Sequence, residues 1–235
     1  MKVSTPPRLD SIGAVAALGD RQRRRLYDAV RAARRPVTRE EAALAVDISR
    51  KLAAFHLDKL VATGLLEVAE SPAEQPRPVG RTPKRYRPVA DTVTVSVPAR
   101  SYQELATVLV VAAATQTASE SAAAARHRVG RARGRELGAS IERGSLRGRL
   151  GPERALACVE SVLAREGLEP YRPEQACLRL SNCPFHPVTG YAPELVCGIN
   201  VDYLGGLLEG LRIEALSVRF KPEPGECCVE IRPEG

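Results

Sequence analysis

Apolar residues recur at helical spacing over residues 48–66, ISRKLAAFHLDKLVATGLL. They predict a helix with one apolar face turned inward and a polar face turned outward. The inward positions are Ala53, Leu57, Leu60 and Val61. Ser49 is a good N-cap for this helix, and Gly64 supplies a left-handed stop. The pattern therefore predicts a helix that begins after Ser49 and ends before Gly64.

A shorter helix is predicted immediately upstream, over residues 38–46. Thr38 and Glu41 have the spacing of a capping box, which satisfies two backbone N–H groups at a helix start. Only two or three residues separate this helix from the next one. Two helices joined by so tight a turn are typical of a helix-turn-helix unit. Such units also serve as protein-docking modules, so the pattern leaves both DNA and protein open as partners.

Strand-like patterns follow the second helix. Residues 65–70 and 84–89 are predicted to be two strands. The loop between them contains Pro72, Pro76, Pro78 and Pro83. Because proline cannot donate to a strand ladder, we expect this loop to be irregular. Upstream of the helix-turn-helix pattern, residues 9–33 are typical of one helix or a pair of helices.

The middle of the chain is rich in alanine. Residues 93–97 predict a short strand or extended linker, and residues 101–140 predict a long helix that needs an apolar partner. We interpret this helix as a dimerisation element; packing on the C-terminal domain is the alternative. Residues 126–149 carry eight arginines with five interspersed glycines, which predicts a helix end followed by a loop. These arginines are available for DNA phosphate, the C-terminal domain or water.

The C-terminal part has an alternating pattern of helices and strands. Pro152 at the first turn and Gly167 at the end bound a predicted helix. The predicted order is a helix at 152–166, strands at 168–172 and 176–181, a helix at 193–210, and strands at 213–221 and 227–232. This order indicates a small α+β domain with its helices on one face of the sheet.

Composition and charge separate the two ends of the chain. The sequence is 44% hydrophobic, which indicates a globular protein, and its net charge is +7. Residues 1–90 carry 18 Lys or Arg against 10 Asp or Glu, whereas residues 151–235 carry 8 against 13. A basic front and an acidic back are expected of a polyanion-binding domain joined to a separate sensing domain.

The sequence predicts neither export nor membrane insertion. Residues 1–10 lack the apolar segment of a signal peptide, and the longest apolar run, residues 105–114, is about half of what a bilayer requires. We therefore expect a cytoplasmic protein without a membrane partner. Six cysteines in a reducing compartment are expected to be thiols, so their clustering indicates metal or redox chemistry before disulfides.

The segment SRKLAAFHLDKLVATGLLE, followed by GRTPKRYRP, resembles the winged helix-turn-helix of ArsR-like and SufR-like bacterial transcription factors. In that family a Ser-x(6)-His-Leu-x-x-Leu-x-x-x-Gly-Leu pattern marks the recognition helix, and a basic wing follows. The resemblance implies double-stranded DNA as the partner, bound by homodimers. The implied DNA-binding residues are Ser49, Arg50, Lys51, Ala54, Phe55 and His56 toward the major groove, and Arg81, Lys84, Arg85 and Arg87 on the wing. Ala54 and Phe55 replace residues that are more often polar in the family, which suggests contact with thymine methyl groups.

Four cysteines and a histidine mark the C-terminal domain. Cys183 and His186 lie in NCPFHP, where two prolines fix a turn. The predicted second helix carries Cys197, and the predicted last strand carries Cys227 and Cys228. Soft thiolates from three elements suit an iron-sulfur cluster or zinc. The alternative interpretation, small buried side chains, is the one we adopt for Cys158 and Cys177.

The spacing Cys-x(13)-Cys-x(29)-Cys-Cys resembles the sensor domain of SufR-type regulators, which carry an iron-sulfur cluster and repress cluster-assembly operons. Strand alternation puts Cys227 on the apolar face with Val229, and Cys228 on the other face. Cys227 is therefore the predicted third ligand and Cys228 the alternative. His186 is the leading candidate for a fourth ligand.

These observations predict an α+β protein of three segments. They are a winged helix-turn-helix (1–90), a helical dimerisation linker (91–150) and a small α+β sensor domain (151–235). The predicted function is transcriptional regulation by a repressor, not an enzyme, whose 4Fe-4S or 2Fe-2S cluster senses iron, oxygen or nitric oxide. A regulator with structural zinc, or with no metal and another signal, is the first alternative. A redox enzyme using Cys227 and Cys228 as a vicinal dithiol is the second.

Overall fold

The computed structural model of the protein describes residues 8–69, 83–90, 93–141 and 150–234. The chain divides into two compact units, Met1–Val95 and Ser96–Gly235. The first contains a three-stranded antiparallel sheet and the second a four-stranded one, each accompanied by helices. This confirms the mixed α+β class. Along the described part of the chain, no helix is both long enough and apolar enough to cross a membrane.

The first unit contains four described helices, and the last three of them begin at side-chain caps. The four helices are α1 (Arg8–Ala17), α2 (Arg21–Ala32), α3 (Arg39–Val46) and α4 (Arg50–Ala62). Thr38 and Glu41 form the predicted capping box at the start of α3, and Ser49 accepts a hydrogen bond from the backbone N–H of Leu52. Gly64 has a φ of 74°, in the left-handed region that ends a helix. These short-range signals explain why both predicted helices are confirmed.

A small sheet closes the first unit. Its strands are β1 (Val37–Thr38), β2 (Leu66–Ala69) and β3 (Arg85–Pro88), in the order β1-β3-β2. Val68 pairs with Tyr86, whose ring is buried among the helices. The predicted inward face of α4 joins the same core, with Ala53, Leu57 and Leu60 fully buried. Most of the predicted proline-rich loop lies outside the described residues.

The second unit contains four long helices and the larger sheet. The helices are α5 (Tyr102–Thr115), α6 (Ala122–Ser140), α7 (Pro152–Arg165) and α8 (Pro193–Gly210). The strands are β4 (Pro170–Glu174), β5 (Cys177–Leu180), β6 (Leu216–Phe220) and β7 (Val229–Pro233), in the order β4-β5-β7-β6. Leu178, Val229 and Ile231 share a core with α7 and α8. This core covers the sheet face that points toward the helices.

The prediction of one long helix over residues 101–140 is wrong. The chain leaves the helical conformation after Thr115, and Ser121 then caps a new helix through the N–H of Ala124. The predicted helix end and loop after Arg126 is also wrong as far as Ser140. There α6 continues without a break through Gly130, Gly134 and Gly138, and residues 142–149 lie outside the described part.

The glycines of α6 allow its backbone to contact the backbone of α8. A Cβ atom at Gly134 would approach backbone atoms of Tyr203 more closely than the 3.0 Å that real Cβ contacts respect, and one at Gly206 would do the same to Arg131. At this separation no side chain fits between the backbones of the two helices. For this reason α6 is part of the second unit, whereas the sequence indicated a separate linker segment.

The arginines of α6 pair with carboxylates of the second unit. Arg131 and Arg135 both reach Glu209 on α8, with the closest nitrogen to oxygen distance 2.6 Å in each case. Arg133 binds Glu104 on α5 through two hydrogen bonds of 2.8 and 3.0 Å. Of the partners that the sequence left open for these arginines, acidic residues of the C-terminal unit are therefore the ones observed.

Candidate metal centre and nucleic-acid interface

Four thiols from three elements converge in the second unit. Cys183 lies in the turn after β5, Cys197 in the first half of α8, and Cys227 and Cys228 in the segment before β7. The side chain of Cys183 hydrogen-bonds with that of Cys227, and Cys228 with both Cys197 and Cys227. Cys197, Cys227 and Cys228 are buried, and Cys183 is half-buried. The fold thus brings together four sulfur atoms that are up to 45 positions apart in the chain.

The turn that carries Cys183 is anchored by a buried ring. Phe185 packs in a core with Leu105 and Val108 of α5 and Val196 and Ile199 of α8. The backbone N–H of His186 donates to the carbonyl oxygen of Cys183 at 3.2 Å, which closes the turn. Since the ring is only 3% exposed, this anchor holds the Cys183 backbone between two helices.

Residues at the start of α5 form hydrogen bonds with the same turn. Arg100 donates to the carbonyl oxygen of Cys183 at 3.2 Å, and the N–H of Ser101 donates to that of Pro184 at 2.8 Å. The hydroxyl of Tyr102 donates to the carbonyl oxygen of His186 at 2.5 Å. Three successive residues thus satisfy three carbonyl groups of the cysteine turn. We call this set of contacts the α5 clasp.

The last two cysteines do not lie on a strand. β7 begins at Val229, and the final pair of its ladder with β6 joins Phe220 to Val229. Cys227 instead donates its N–H to the carbonyl oxygen of Leu180 at 3.2 Å. The alternation argument for choosing Cys227 over Cys228 is therefore wrong, because irregular backbone does not separate successive side chains onto two faces. Both thiols reach the cluster.

The shared environment favours protonated thiols. The hydrogen bond with Cys227, followed by burial, raises the pKa of Cys183 far above its usual range, although N–H groups of Phe185 and His186 act in the opposite direction. The hydrogen bond with Cys183 lowers the pKa of Cys227, but the Cys228 hydrogen bond and burial outweigh it and raise the pKa to about 12. Burial also raises the pKa of Cys197. A metal must therefore displace protons when it binds here.

The remaining residues considered from the sequence are His186, Cys158 and Cys177. The imidazole of His186 is exposed, and the residue is held in the turn by hydrogen bonds of its backbone N–H and carbonyl groups. The prediction of His186 as a ligand is not supported by its position. Cys158 is buried within α7, and Cys177 is buried on β5 beside Glu230. The sequence interpretation of these two as buried side chains agrees with their positions.

The four thiols form a donor set of soft ligands. Four thiols are suited to zinc or to an iron-sulfur cluster. Among the residues that the structure describes, however, no group of three or more His, Cys, Asp or Glu side chains is arranged to hold a metal ion. The donor chemistry therefore fits a soft metal, but the described residues do not form a preformed arrangement of ligands.

The N-terminal end of α4 presents exposed polar residues. Ser49, Arg50 and Lys51 are exposed, and Arg50 lies 3.4 Å from a carboxylate oxygen of Glu40. Ala54 is half-buried, and the ring of Phe55 is 55% exposed. Three of these five predicted positions, Ser49, Arg50 and Lys51, are therefore exposed polar residues that a polyanion can reach. The exposed ring of Phe55 lies on the same helix.

His56 does not belong to that exposed surface. Its side chain is buried, with Nδ1 4.0 Å from a carboxylate oxygen of Asp20 and no hydrogen-bond partner within the described ranges. Position 56 follows Ala53 by three residues, so it shares the inward face of α4. The assignment of His56 to the DNA surface is therefore wrong, and the packing role is the one observed.

Three of the four predicted wing residues are described. Lys84 lies 3.5 Å from Asp58, and Arg87 lies 2.6 Å from Glu67. Arg85 is half-buried. Arg81 lies outside the described residues. Neighbouring carboxylates thus partly neutralise the basic strand.

Sequence reasoning missed Asn200 and the α5 clasp. Asn200 lies on α8, one helical turn after Cys197, and its amide nitrogen is 3.2 Å from the sulfur of Cys227. A signal was present, since the chain contains only two asparagines, Asn182 and Asn200, and each is near a cysteine in sequence. The clasp had no comparable signal, because its bonds end on backbone carbonyls.

Comparisons with known proteins give no relative. No protein-family model, curated protein or solved structure matches this chain.

Proposed function

We propose that the protein is a DNA-binding transcriptional regulator whose thiol cluster holds an iron-sulfur cluster. The observation that carries the proposal is the convergence of Cys183, Cys197, Cys227 and Cys228. Free cysteines are often buried singly as small apolar side chains. Four that hydrogen-bond together, contributed by a turn, a helix and an irregular segment, are better explained by a shared ligand.

The first unit is proposed as a winged helix-turn-helix. In support, α3 and α4 are joined by three residues and followed by the β2 and β3 hairpin. Residues 1–90 carry an excess of eight positive charges, which favours a polyanion. Arg50 and Lys51 at the exposed start of α4 are proposed to read base edges, and Lys84, Arg85 and Arg87 to contact the backbone.

Homodimer formation through α5 is part of the proposal. Its inner face packs on α6, while Val110 is 67% exposed and Val111 is also exposed. The one charged residue of the helix, Glu104, is used in the ion pair with Arg133. An outer face without charge is suited to a second copy, which two DNA half-sites would require.

Metal and sulfide analysis of protein purified without oxygen tests the proposal. We expect iron and sulfide in equal amounts, a brown colour, and DNA retardation that changes after exposure to air. Zinc without sulfide in a colourless protein would instead support the zinc regulator, for which the same four thiols provide ligands. Protein that binds neither metal, and whose DNA retardation is insensitive to air, would overturn the sensor function.

The thiol environment disfavours the enzyme alternative. A dithiol catalyst needs a thiolate, and thiolates are favoured near cationic groups or helix N-termini. Burial and hydrogen bonding instead raise the pKa of Cys227 to about 12. Cys227 is therefore a poor nucleophile in the absence of a metal.

A further inference from the structure

The strand β6 lies at an edge of the four-stranded sheet. The strand order is β4-β5-β7-β6, so β6 is paired on one side only. The N–H of Lys221 donates to the carbonyl oxygen of Cys228 at 2.7 Å, and the N–H of Glu234 donates to that of Ala215 at 3.0 Å. In an antiparallel ladder every second residue bonds to the neighbouring strand in this way. The odd-numbered residues of β6 therefore bond to β7, and the backbone N–H and C=O groups of the even-numbered ones point to the open edge; these are Leu216, Val218 and Phe220.

The opposite edge of the sheet is protected, whereas β6 is not. The edge strand β4 contains Pro170 and Pro173. Proline on an edge strand removes N–H groups with which another strand could pair. The strand β6 contains no proline, and among the described residues no strand lies beyond it. Its outward-pointing backbone groups are therefore a template for one more strand.

A groove runs beside this open edge. Its apolar lining comes from α8 and the segment after it on one side and from β6 on the other, and consists of Val201, Leu208, Ile213, Leu216 and Val218. Charged residues complete the lining, among them Arg212 and Glu214. A strand added along the edge would place every second side chain over this apolar surface.

Phe220 is the side chain of β6 that lacks cover. It pairs with Val229, which belongs to the core shared with α7 and α8, so both side chains lie on the sheet face toward the helices. The ring of Phe220 is nevertheless 53% exposed. An added strand that carries apolar side chains on the same face would cover this ring.

We propose that the open edge of β6 pairs with β6 of a second copy of this chain, in antiparallel orientation about Val218. With Val218 opposite its counterpart, Leu216 of one copy lies opposite Phe220 of the other. All the outward-pointing backbone groups of the strand are then paired, and each exposed Phe220 ring lies over the groove of the other copy. Both copies contribute the same surface, as a two-fold interface requires.

The charges that flank β6 favour this arrangement of two copies. Arg212 and Glu214 precede the strand, and Lys221 and Glu223 follow it. Antiparallel pairing places the preceding segment of one copy beside the following segment of the other. Lys221 then approaches Glu214 of the other copy, and Glu223 approaches Arg212. Opposite charges thus meet at both ends of the paired strands, which favours this register over others.

This pairing goes beyond the α5 contact of the proposed function. The helix α5 packs on α6, whereas β6 packs on β7 and α8. The pairing also requires neither a metal nor DNA. Two different two-fold interfaces on one chain join four copies into a dimer of dimers. We therefore expect the full-length protein to form dimers of dimers.

Sedimentation of the full-length protein tests the pairing with three variants. Val218→Pro removes the central outward-pointing N–H and leaves the ladder with β7 intact, because that N–H does not bond to β7. Val218→Ala is the matched control, since it also removes the valine side chain but keeps the N–H. Val110→Lys places a charge on the outer face of α5, where Val110 is 67% exposed. We expect Val218→Pro and Val110→Lys each to halve the mass of the assembly, and Val218→Ala to keep it.

The outcomes separate the two interfaces. A mass that Val218→Pro leaves unchanged would overturn the inference. A wild-type dimer that only Val218→Pro converts to monomers would retain the β6 pairing and refute the α5 contact. A wild-type dimer that only Val110→Lys converts to monomers would refute the β6 pairing and retain α5.

Hydrogen exchange resolved to single amides tests the same pairing without a substitution on β6. The N–H of Arg219 bonds to β7, so it should be protected at every protein concentration. The N–H groups of Val218 and Phe220 should exchange rapidly in dilute protein and become protected as the concentration rises. Rapid exchange of both at concentrations where the protein is fully assembled would overturn the inference, even if Val218→Pro failed to fold.

Discussion

Arg100 donates a hydrogen bond from its guanidinium group to the carbonyl oxygen of Cys183, at 3.2 Å. The two residues are 83 positions apart in the sequence. Arg100 immediately precedes α5, and Cys183 contributes a thiol to the proposed metal site. Any rearrangement of the cysteine turn on metal loss therefore acts on the start of α5.

The α5 clasp is expected to transmit the state of the metal site to DNA binding. Tyr102→Phe removes the hydroxyl that binds the carbonyl oxygen of His186. We expect normal metal content, a loss of about 0.5 to 1.5 kcal/mol in unfolding free energy, and a smaller change in DNA affinity on exposure to air. Tyr191→Phe is the matched control, since Tyr191 is 90% exposed. If the DNA affinity of Tyr102→Phe changed on exposure to air as much as that of the wild type, the α5 clasp would not transmit the signal.

Serine substitution should divide the six cysteines into two groups. Cys183→Ser, Cys197→Ser, Cys227→Ser and Cys228→Ser should each lose colour and sulfide when purified without oxygen, because each thiol belongs to the hydrogen-bonded cluster. Cys158→Ser and Cys177→Ser should remain coloured. If Cys228→Ser alone remained coloured, the ligands would be the other three thiols of the cluster. If all six variants remained coloured, the cysteine cluster would not be the metal site.

Alanine at the crossing of α6 and α8 should be strongly destabilising. Gly134→Ala forces the two backbones apart, and overpacking of this kind costs about 1 to 3 kcal/mol or more. Gly198→Ala on α8 is the control, because a Cβ there meets nothing within 4 Å. Because alanine has a higher helix propensity than glycine, Gly198→Ala should stabilise the protein by up to about 1 kcal/mol. Similar melting temperatures for the two variants would contradict the close approach.

The start of α4 should contribute to sequence-specific DNA binding. Arg50→Ala or Lys51→Ala should weaken operator binding by about 1 to 3 kcal/mol if the lost contact reads a base edge. Arg87→Ala should weaken all sequences alike and reduce the salt dependence. Arg219→Ala, which removes an exposed charge from β6 of the second unit, controls for net charge. Specific affinity that survives both α4 substitutions would place base readout elsewhere.

Tyr86 should make the first unit sensitive to alkaline pH. Burial, followed by the nearby charge of Asp58 and the hydrogen bond to it, raises the pKa of Tyr86 to about 12. The folded state therefore holds the phenol proton more tightly than the unfolded state. The resulting stability is complete below about pH 10 and is lost as the pH rises toward 12. Unfolding in urea at pH 9 and pH 11 should show a smaller pH-dependent loss in Tyr86→Phe than in wild type, and equal losses would contradict the shift.

Short-range signals account for what was predicted correctly. The capping box of Thr38 and Glu41, the Ser49 cap and the left-handed Gly64 each act within one helical turn, so the sequence alone identifies α3 and α4. The four-strand pattern of the C-terminal unit was also predictable, because apolar periodicity can be read directly from the sequence.

Tertiary contacts decided the rest. The sequence predicted a helix break near Gly134, but the glycine lies within α6 where its backbone contacts α8. The sequence also placed Cys227 and Cys228 on a strand, but the strand ladder ends at Val229. The resemblance assigned His56 to the DNA surface, but its side chain is buried near Asp20. The sequence by itself therefore determined α3, α4 and their caps, and which residue types are available for a metal. The tertiary structure decided which side chains meet, because close backbone approach and burial depend on residues distant in the chain whose positions no local pattern specifies.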